Sequence, residues 1–233
     1  MAACLALVAL LQADEKDALR KAEEAVRKFR AAYTAEKADE AARIGAVTDL
    51  GKVRHARTRD VLVSLTTTES DAIRITAAQA LGAFRTVPDT AAALIAALRH
   101  ESNKRRRTVR IAILRSVAEL ADPASLEALH ALVDDREFEL AREAVAGCAR
   151  IKRRESVPIL IRALKKAERN PESMSPDKVP LEGVPGGADE DQQKEQARRK
   201  EILHQPLLAA LRKITGEAFV LAREWEAWWR RQP

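Results

Sequence analysis

The residues best suited to catalysis or metal binding are few and scattered along the chain. The sequence holds four histidines and two cysteines, namely His55, His100, His130, His204, Cys4 and Cys148. A metal site or an activated nucleophile needs several such side chains to converge, and nothing in this spacing requires it. No Gly-x-Ser-x-Gly, phosphate-loop, dinucleotide-binding or His-Glu-x-x-His motif appears. We therefore expect no enzyme, no cofactor and no metal, although an active site built from distant residues leaves no local motif.

A run of four basic residues is the clearest single candidate for contact with an anion. It comprises Lys104, Arg105, Arg106 and Arg107. Lysine and arginine bind the oxygens of carboxylates and phosphates, so the run suits an acidic partner or a nucleic-acid backbone. A charge run is also typical of a merely solvated surface, and the sequence leaves both interpretations open.

Three tryptophans lie close to the end of the sequence. Trp225, Trp228 and Trp229 share one helical face with Leu221, because they follow it at four-, three- and one-residue steps. Such rings could stack on bases or sugars. They could equally fill the apolar face left open at the end of a helical array, and we favour this second interpretation.

These residues must be positioned by helices, because the chain repeats one helical hairpin. Within residues 39–167 an arginine recurs in the first helix of each copy, at Arg43, Arg74, Arg110 and Arg142. The second helices are expected to end at Leu65, Leu98, Leu132 and Leu164, positions that differ by 33, 34 and 32 residues. A hairpin of this size buries its apolar face only by stacking on neighbouring copies, so the pattern predicts an α-solenoid.

The recurring arginine has a structural interpretation. An acidic residue stands three positions before three of the four arginines, at Glu40, Asp71 and Glu139. Residues at this spacing are neighbours on a helix surface, and an acid is favourable near a helix start. We therefore expect local ion pairs. The first helices should close ten residues after the arginine, at Val53, Phe84 and Leu120, and nine residues after it at Ile151.

The repeat resembles HEAT repeats, and more narrowly the HEAT-like repeats common in bacteria. The similarity lies in Ala-Leu-Gly at 80–82, Asp-Leu-Gly at 49–51, Leu-Ala-Asp-Pro at 120–123 and Ser-Val-Pro-Ile-Leu-Ile-Arg-Ala-Leu at 156–164. It implies an all-α solenoid of about four to five helical hairpins with capping helices at both ends. HEAT solenoids mostly serve as binding scaffolds, and their second helices line a concave surface. By that geometry the contacts would be Arg99, His130, Arg162 and Lys166.

Five segments are expected along the chain. They are a signal-peptide remnant (1–13), an N-terminal capping helix (14–36), the repeats (39–167), a Pro/Gly-rich acidic loop (168–193) and C-terminal helices with a Trp-rich cap (194–233). The first segment is apolar, ends on a small residue and lacks a basic n-region. It indicates export and an extracytoplasmic protein, periplasmic or secreted. The alternative is a cytoplasmic protein in which these residues start the next helix.

Composition fits a helical scaffold with surface charges of both signs. The chain of 233 residues is 46% hydrophobic but only 3% aromatic, and it carries 41 basic against 35 acidic residues, a net charge of +6. Turns inside the repeats are basic and predict one basic rim, formed by Arg54, His55, Arg57, Arg59, Arg85, Lys152, Arg153 and Arg154. Our leading hypothesis is a monomeric, non-catalytic protein-interaction scaffold that uses the concave face and this rim.

Two other functions remain as alternatives. Positive charge attracts polyanions, and some HEAT-like proteins, including a family of DNA glycosylases, hold duplex DNA along a basic concave surface. A nucleic-acid-binding protein of this kind would contact phosphates through the lysine and arginine clusters. The catalytic Asp and concave aromatic residues of those glycosylases cannot be placed in this sequence. Similarity to the HEAT-like phycobilin lyases rests on the fold alone.

Overall fold

Helical periodicity governs the backbone throughout the described chain. The computed structural model describes the backbone of residues 2–169 and 187–232, and the side chains of residues 14–169 and 191–232. Within these ranges it contains eleven α-helices, three short 3₁₀ turns and no strand. The all-α prediction is therefore confirmed. The chain divides into two compact units, Met1–Ser125 and Leu126–Pro233.

The first unit is built from a long helix followed by five shorter ones. They are α1 (Ala2–Tyr33), α2 (Glu40–Leu50), α3 (Ala56–Thr68), α4 (Asp71–Leu81), α5 (Thr90–Arg99) and α6 (Arg107–Leu120). The first helices of the hairpins stack in the order α2, α4, α6, and the second helices α3 and α5 pack beside each other. Helix α1 packs on both α2 and α3. It thus covers the apolar faces that the first hairpin would otherwise expose.

Capping residues fix where these helices begin. The Asp39 side chain accepts a hydrogen bond from the Ala42 backbone amide at 2.8 Å, at the start of α2. At the start of α3, His55 Nδ1 accepts from the Arg57 amide and Thr58 Oγ1 accepts from the His55 amide. Each bond satisfies an amide that has no partner within the helix. The turns between helices are therefore encoded locally.

Two glycines mark the ends of first helices and allow close packing. Helices α2 and α4 end at Leu50 and Leu81, three residues before the expected Val53 and Phe84, and each is followed directly by glycine. A Cβ on Gly51 would stand 2.6 Å from the Cβ of Ala80. A Cβ on Gly82 would stand 2.7 Å from Glu119 Oε2, the end of a flexible side chain, and 3.3 Å from the Cβ of Ser116. Neighbouring first helices therefore touch at their carboxyl ends, through a glycine on one and a small residue on the next.

The recurring arginine at Arg74 does not form the expected ion pair with Asp71. Arg74 is only 4% exposed, and it donates to the Glu69 carbonyl at 2.6 Å and to Asn103 Oδ1 at 2.6 Å. Asp71 pairs with Arg106 instead. The local prediction was wrong here because a buried guanidinium needs several acceptors, which the residues before α4 and the loop after α5 supply.

The second unit contains five helices. They are α7 (Leu126–Leu132), α8 (Phe138–Ile151), α9 (Val157–Glu168), α10 (Gly187–Thr215) and α11 (Ala222–Trp229). Helix α10 packs against α8 and α9, and α11 packs against α9. Helices α10 and α11 therefore add a further hairpin to the last one of the repeat region.

The ends of α10 differ in part from expectation. It begins at Gly187, within the segment expected to be a loop to residue 193, and it passes Pro206 without interruption. Residues 170–186 of that segment lie outside the described residues. Helix α10 ends at Thr215, and Gly216 follows with φ +83°, the left-handed conformation that ends many helices. The prediction of a glycine cap at Gly216 is confirmed.

The backbone of residues 2–13 forms the first part of α1. This segment was expected to be a signal-peptide remnant. A helical backbone is compatible with cleavage of the segment and also with its retention as the start of α1. In the described part of the chain, no helix combines the length and apolar character that crossing a membrane requires.

Candidate functional site

The basic run at residues 104–107 is largely occupied by internal contacts. Lys104 pairs with Glu101 at 2.5 Å, and Arg106 pairs with Asp71 and donates to the Ser102 carbonyl at 3.0 Å. Arg107 is the first residue of α6. Arg105 is exposed and has no hydrogen-bond partner among the described side chains. The acids beside this run reduce the positive potential that would attract an anion.

His130 and Lys166 also have partners inside the second unit. His130 Nε2 lies 2.9 Å from Ser156 Oγ, and burial lowers the pKa of His130, so its ring is neutral near pH 7. Lys166 Nζ lies 2.6 Å from Asp134 Oδ2. Both side chains were predicted to contact a ligand because they lie on second helices, and both also make contacts that stabilise the fold.

Cys148 is not suited to nucleophilic chemistry. Cys148 is fully buried, and burial raises the pKa of its thiol to about 11, with a hydrogen bond from Ser156 offsetting this only in part. A thiol with such a pKa is protonated at neutral pH, whereas the thiolate is the reactive form. Among the residues whose side chains are described, no group of His, Cys, Asp and Glu could hold a metal ion.

The Asp134 carboxylate, which pairs with Lys166, belongs to a larger ion-pair network. It also accepts from Arg199 on α10, whose side chain is 4% exposed and stands 4.9 Å from the centre of the Phe138 ring. Burial alone would raise the pKa of Asp134, but the hydrogen bonds from Lys166 and Arg199 outweigh it and hold the pKa below its usual value. This ion-pair network fastens α10 to the last hairpin of the repeats.

The remaining predicted contacts, Arg99 and Arg162, are exposed and have no partner among the described side chains. Arg99 is the last residue of α5. Arg162 lies on α9 and lines a groove of about 390 Å³ between α9 and α11. The α9–α11 groove is lined by Pro158, Ile161, Arg162, Lys165, Arg169, Glu226, Trp229 and Arg230.

The charges of the α9–α11 groove are strongly unequal. Glu226 is its one acidic residue, and it accepts from Lys165 at 2.7 Å and lies 3.9 Å from Arg230. Arg162 and Arg169 form no ion pair with a described side chain and are exposed. Two guanidinium groups are therefore available for an anionic ligand beside an already neutralised carboxylate.

The tryptophans divide between two roles. Trp225 is fully buried and meets Phe219 edge-to-face, with ring centres 5.0 Å apart. Of the three tryptophans it is the one that is fully buried. Trp229 is half-buried, lines the α9–α11 groove and carries the Arg154 guanidinium 5.2 Å from its ring centre. Trp228 is also half-buried and meets the rings of Trp225 and Trp229, so Trp229 is the one that lines the groove.

Arg169 and Arg230 were not singled out by the sequence analysis. Arg169 follows Arg162 by seven residues, a spacing that returns to the same face of a helix. That signal was present in the sequence. The approach of α11 to α9, which adds Trp229 and Arg230, depends on packing between segments separated by residues 170–186.

Stacked helical hairpins whose first and second helices form separate layers define an α-solenoid, and the described helices have this arrangement. Residues 28–109 match the family model of HEAT repeats, and residues 109–135 match that of the PBS lyase HEAT-like repeat. No significant match exists among curated proteins. Residues 28–135 thus carry HEAT repeats, as the sequence resemblance indicated. Repeats of this family generally act as scaffolds for protein interactions.

Proposed function

We propose that this chain is a non-catalytic scaffold that binds an acidic segment of a partner protein in the α9–α11 groove. One observation carries the proposal: Arg162 and Arg169, which form no ion pair with a described side chain, share a groove with the half-buried ring of Trp229. Interfaces of proteins are enriched in arginine and tryptophan, and these residues dominate binding energy where they occur together.

The groove suits a segment with both carboxylates and an apolar or aromatic side chain. Guanidinium groups bind carboxylates through paired hydrogen bonds. Ile161 and Pro158 supply an apolar wall next to the Trp229 ring. A ligand side chain on that wall would place neighbouring carboxylates within reach of Arg162. We expect the acidic residues of the segment to set specificity and the apolar residue to add affinity.

Two observations support a non-catalytic role. HEAT repeats are typically non-catalytic. Cys148, the cysteine with a described side chain, is buried with its thiol protonated. The two groove residues of a nucleophilic type, Lys165 and Glu226, are paired with each other at 2.7 Å.

A peptide-binding experiment tests the groove. Synthetic peptides would combine several glutamates with one phenylalanine, and their binding would be followed by fluorescence anisotropy. The double variant R162Q/R169Q should bind such a peptide at least about tenfold more weakly, since charge-assisted hydrogen bonds contribute about 1.5–3 kcal/mol each. The matched control R212Q/R223Q removes the same charge from exposed positions on α10 and α11 outside the groove. Equal loss in both variants would show a general charge effect and refute the groove.

A second variant tests the aromatic wall. W229L should weaken the phenylalanine-containing peptide more than a peptide in which alanine replaces the phenylalanine. Thermal denaturation of W229L must show that the fold is retained, because Trp229 is half-buried. Equal weakening of the two peptides would remove Trp229 from the binding site.

Nucleic-acid binding is the competing outcome. A short DNA duplex would be titrated at several salt concentrations, because phosphate neutralisation releases counterions and makes affinity fall steeply with salt. Tight duplex binding, lost in R162Q/R169Q, together with undetectable peptide binding would overturn the proposed scaffold function.

We further propose that the protein acts outside the cytoplasm. The apolar run of residues 1–13, followed by Asp14, Glu15, Lys16 and Asp17, supports this location. N-terminal sequencing of the protein from fractionated cells would test it. A chain starting near Asp14 in an extracytoplasmic fraction is the expected result, and a chain retaining these residues in the cytosol would contradict it.

A further inference from the structure

A second groove lies between α1 and α3, in the first unit. Its volume is about 540 Å³, and it is lined by Glu23, Val26, Arg27, Arg30, Arg57, Asp60 and Val61. Arg27 and Arg30 stand on α1, and Arg57 stands in the first turn of α3. Two helices therefore bring three guanidinium groups to one α1–α3 groove.

The three arginines of this groove form no ion pair with a described side chain, in contrast to the lysines nearby. Arg27, Arg30 and Arg57 are exposed, and no described side chain accepts a hydrogen bond from their guanidinium groups. The lysines on the other groove of α1, towards α2, are each paired with an acid: Lys21 with Asp17 at 2.7 Å, Lys28 with Glu24 at 2.8 Å and Lys52 with Asp49 at 2.6 Å. Uncompensated cations are thus concentrated on one side of α1.

The acids of the α1–α3 groove do not cancel this charge. Asp60 accepts from Arg59 at 2.9 and 2.7 Å, so its charge is matched by an arginine that does not line the groove. Glu23 is the remaining acid and is exposed. Three guanidinium groups therefore face one unmatched carboxylate. Like charges held together raise the free energy of the unliganded fold, and an anionic ligand would relieve that repulsion.

We propose that the α1–α3 groove binds a phosphomonoester carried on a side chain of a partner protein. Such a group has a charge of about −1.5 to −2 at pH 7 and three strong acceptor oxygens. Arginine presents a planar fork of donors that matches phosphate oxygens, so three forks fit three oxygens better than they fit the two of a carboxylate. The positive N-terminal end of α3, where Arg57 stands, adds to the attraction.

The walls of the groove favour a protein side chain as the carrier. Val26 and Val61 line it together with the arginines and are half-buried. They offer an apolar surface to the carbon stem of the phosphorylated residue and its neighbours. Free phosphate has no such stem and would use the arginines alone.

Calorimetric titration of a short phosphoserine peptide tests the site. The double variant R27Q/R57Q should lower the affinity at least tenfold. The matched control K28Q/K52Q removes the same charge from exposed, paired positions on the opposite groove of α1, and should bind as the wild type does, since surface ion pairs contribute little. The single variant R57K should lose part of the affinity, because an ammonium keeps the charge without the fork.

Comparison ligands show which anionic group the α1–α3 groove binds and what carries that group. The unphosphorylated peptide and the same peptide with glutamate in place of phosphoserine should bind at least tenfold more weakly than the phosphopeptide. Equal binding of the glutamate peptide would overturn the phosphate assignment. Equal affinity for inorganic phosphate would overturn the protein carrier. Vesicles with anionic phospholipid that bind through the same arginines, with no binding of the phosphopeptide, would overturn the proposal in favour of a lipid surface.

This site and the α9–α11 groove can be tested separately. R162Q/R169Q should leave phosphopeptide affinity unchanged, and R27Q/R57Q should leave the affinity for the glutamate-rich peptide of the α9–α11 groove unchanged. A loss of phosphopeptide binding in R162Q/R169Q but not in R27Q/R57Q would refute the α1–α3 site.

Discussion

Arg74 donates a hydrogen bond to Asn103 Oδ1 at 2.6 Å, joining the first helix of a hairpin to the loop that leaves the same hairpin. The amide of Asn103 in turn donates to the carbonyls of Thr66 at 3.0 Å and Ala97 at 2.8 Å. Both side chains are buried. The ends of α3, α4 and α5 are therefore tied together by one polar cluster rather than by apolar packing alone.

Removing this guanidinium should destabilise the protein. The variant R74M would leave the Asn103 carbonyl oxygen and the Glu69 carbonyl without their donor in a buried setting, at a cost of about 3 kcal/mol in the free energy of unfolding. Urea denaturation followed by circular dichroism measures it. R99M, at an exposed arginine without a partner, should change stability by less than ~0.5 kcal/mol. Similar values for the two variants would mean that the cluster contributes no stability.

Two glycine substitutions should have opposite effects. Gly45 lies in α2 with no atom near its potential Cβ, so G45A should stabilise the protein by about 0.5–1 kcal/mol through helix propensity. G51A would place a methyl group against Ala80, where the helices must move apart, and should cost about 1–3 kcal/mol. Thermal denaturation of both variants checks the signs. A stabilised G51A would show that the contact with Ala80 is loose.

The aromatic end of the second unit depends on Trp225. W225A would empty a fully buried volume beside Phe219 and should cost about 3–5 kcal/mol. The indole nitrogen of Trp225 is buried without a partner. W225F removes that unsatisfied donor together with part of the ring, so it should cost far less than W225A. Urea denaturation of the two variants gives the comparison. Equal losses of unfolding free energy in W225F and W225A would show that a phenylalanine ring cannot replace the packing of the indole.

The ion pairs of Asp134 should make stability depend on pH. The native pKa of Asp134 is depressed, so its contribution is present above the pKa of the unfolded chain and is lost as pH falls through the native value. D134N should cost about 1–2 kcal/mol at pH 7, because it leaves the buried Arg199 without its anion while solvent screens the half-exposed carboxyl. Urea denaturation at several pH values should show this difference shrinking as the pH falls below the ordinary pKa of an aspartate, about 3.9.

The control for this prediction is D49N. Asp49 and its partner Lys52 are both more than 70% exposed, and an exposed pair contributes little at any pH. If D49N and D134N lose the same free energy of unfolding at pH 7, the network around Arg199 stabilises the protein no more than an exposed ion pair does.

The repeat architecture could be predicted because its signals are local. Apolar residues at helical spacing, the recurrent arginine and the glycine after α4 each lie within one hairpin, and together they indicated the α-solenoid. The individual partners of Arg74 could not be predicted, since Asn103 lies 29 residues away and the choice depends on which loop packs over the helix. Sequence spacing favoured Asp71, whose actual partner is Arg106.

The candidate grooves were predictable only in part. Arg162 was predicted as a contact because the second helices of HEAT solenoids line a concave surface. Trp229 was placed in a terminal cluster, but its neighbours on α9 come from tertiary packing. Arg27 and Arg30 gave no signal by themselves, because the sequence does not show that nearby lysines are neutralised while these arginines are not.

The contacts of Gly51 with Ala80 and of Gly82 with Ser116 give the array of first helices a direction. At these two joints the glycine of one hairpin receives a small residue of the next hairpin along the chain, so the joint is not symmetric. A hairpin duplicated or grafted into this part of the chain would be accepted only if it carries both halves of that joint. Duplication of a hairpin is therefore constrained at two small residues in each hairpin. Surface side chains elsewhere can still change under selection for new ligands.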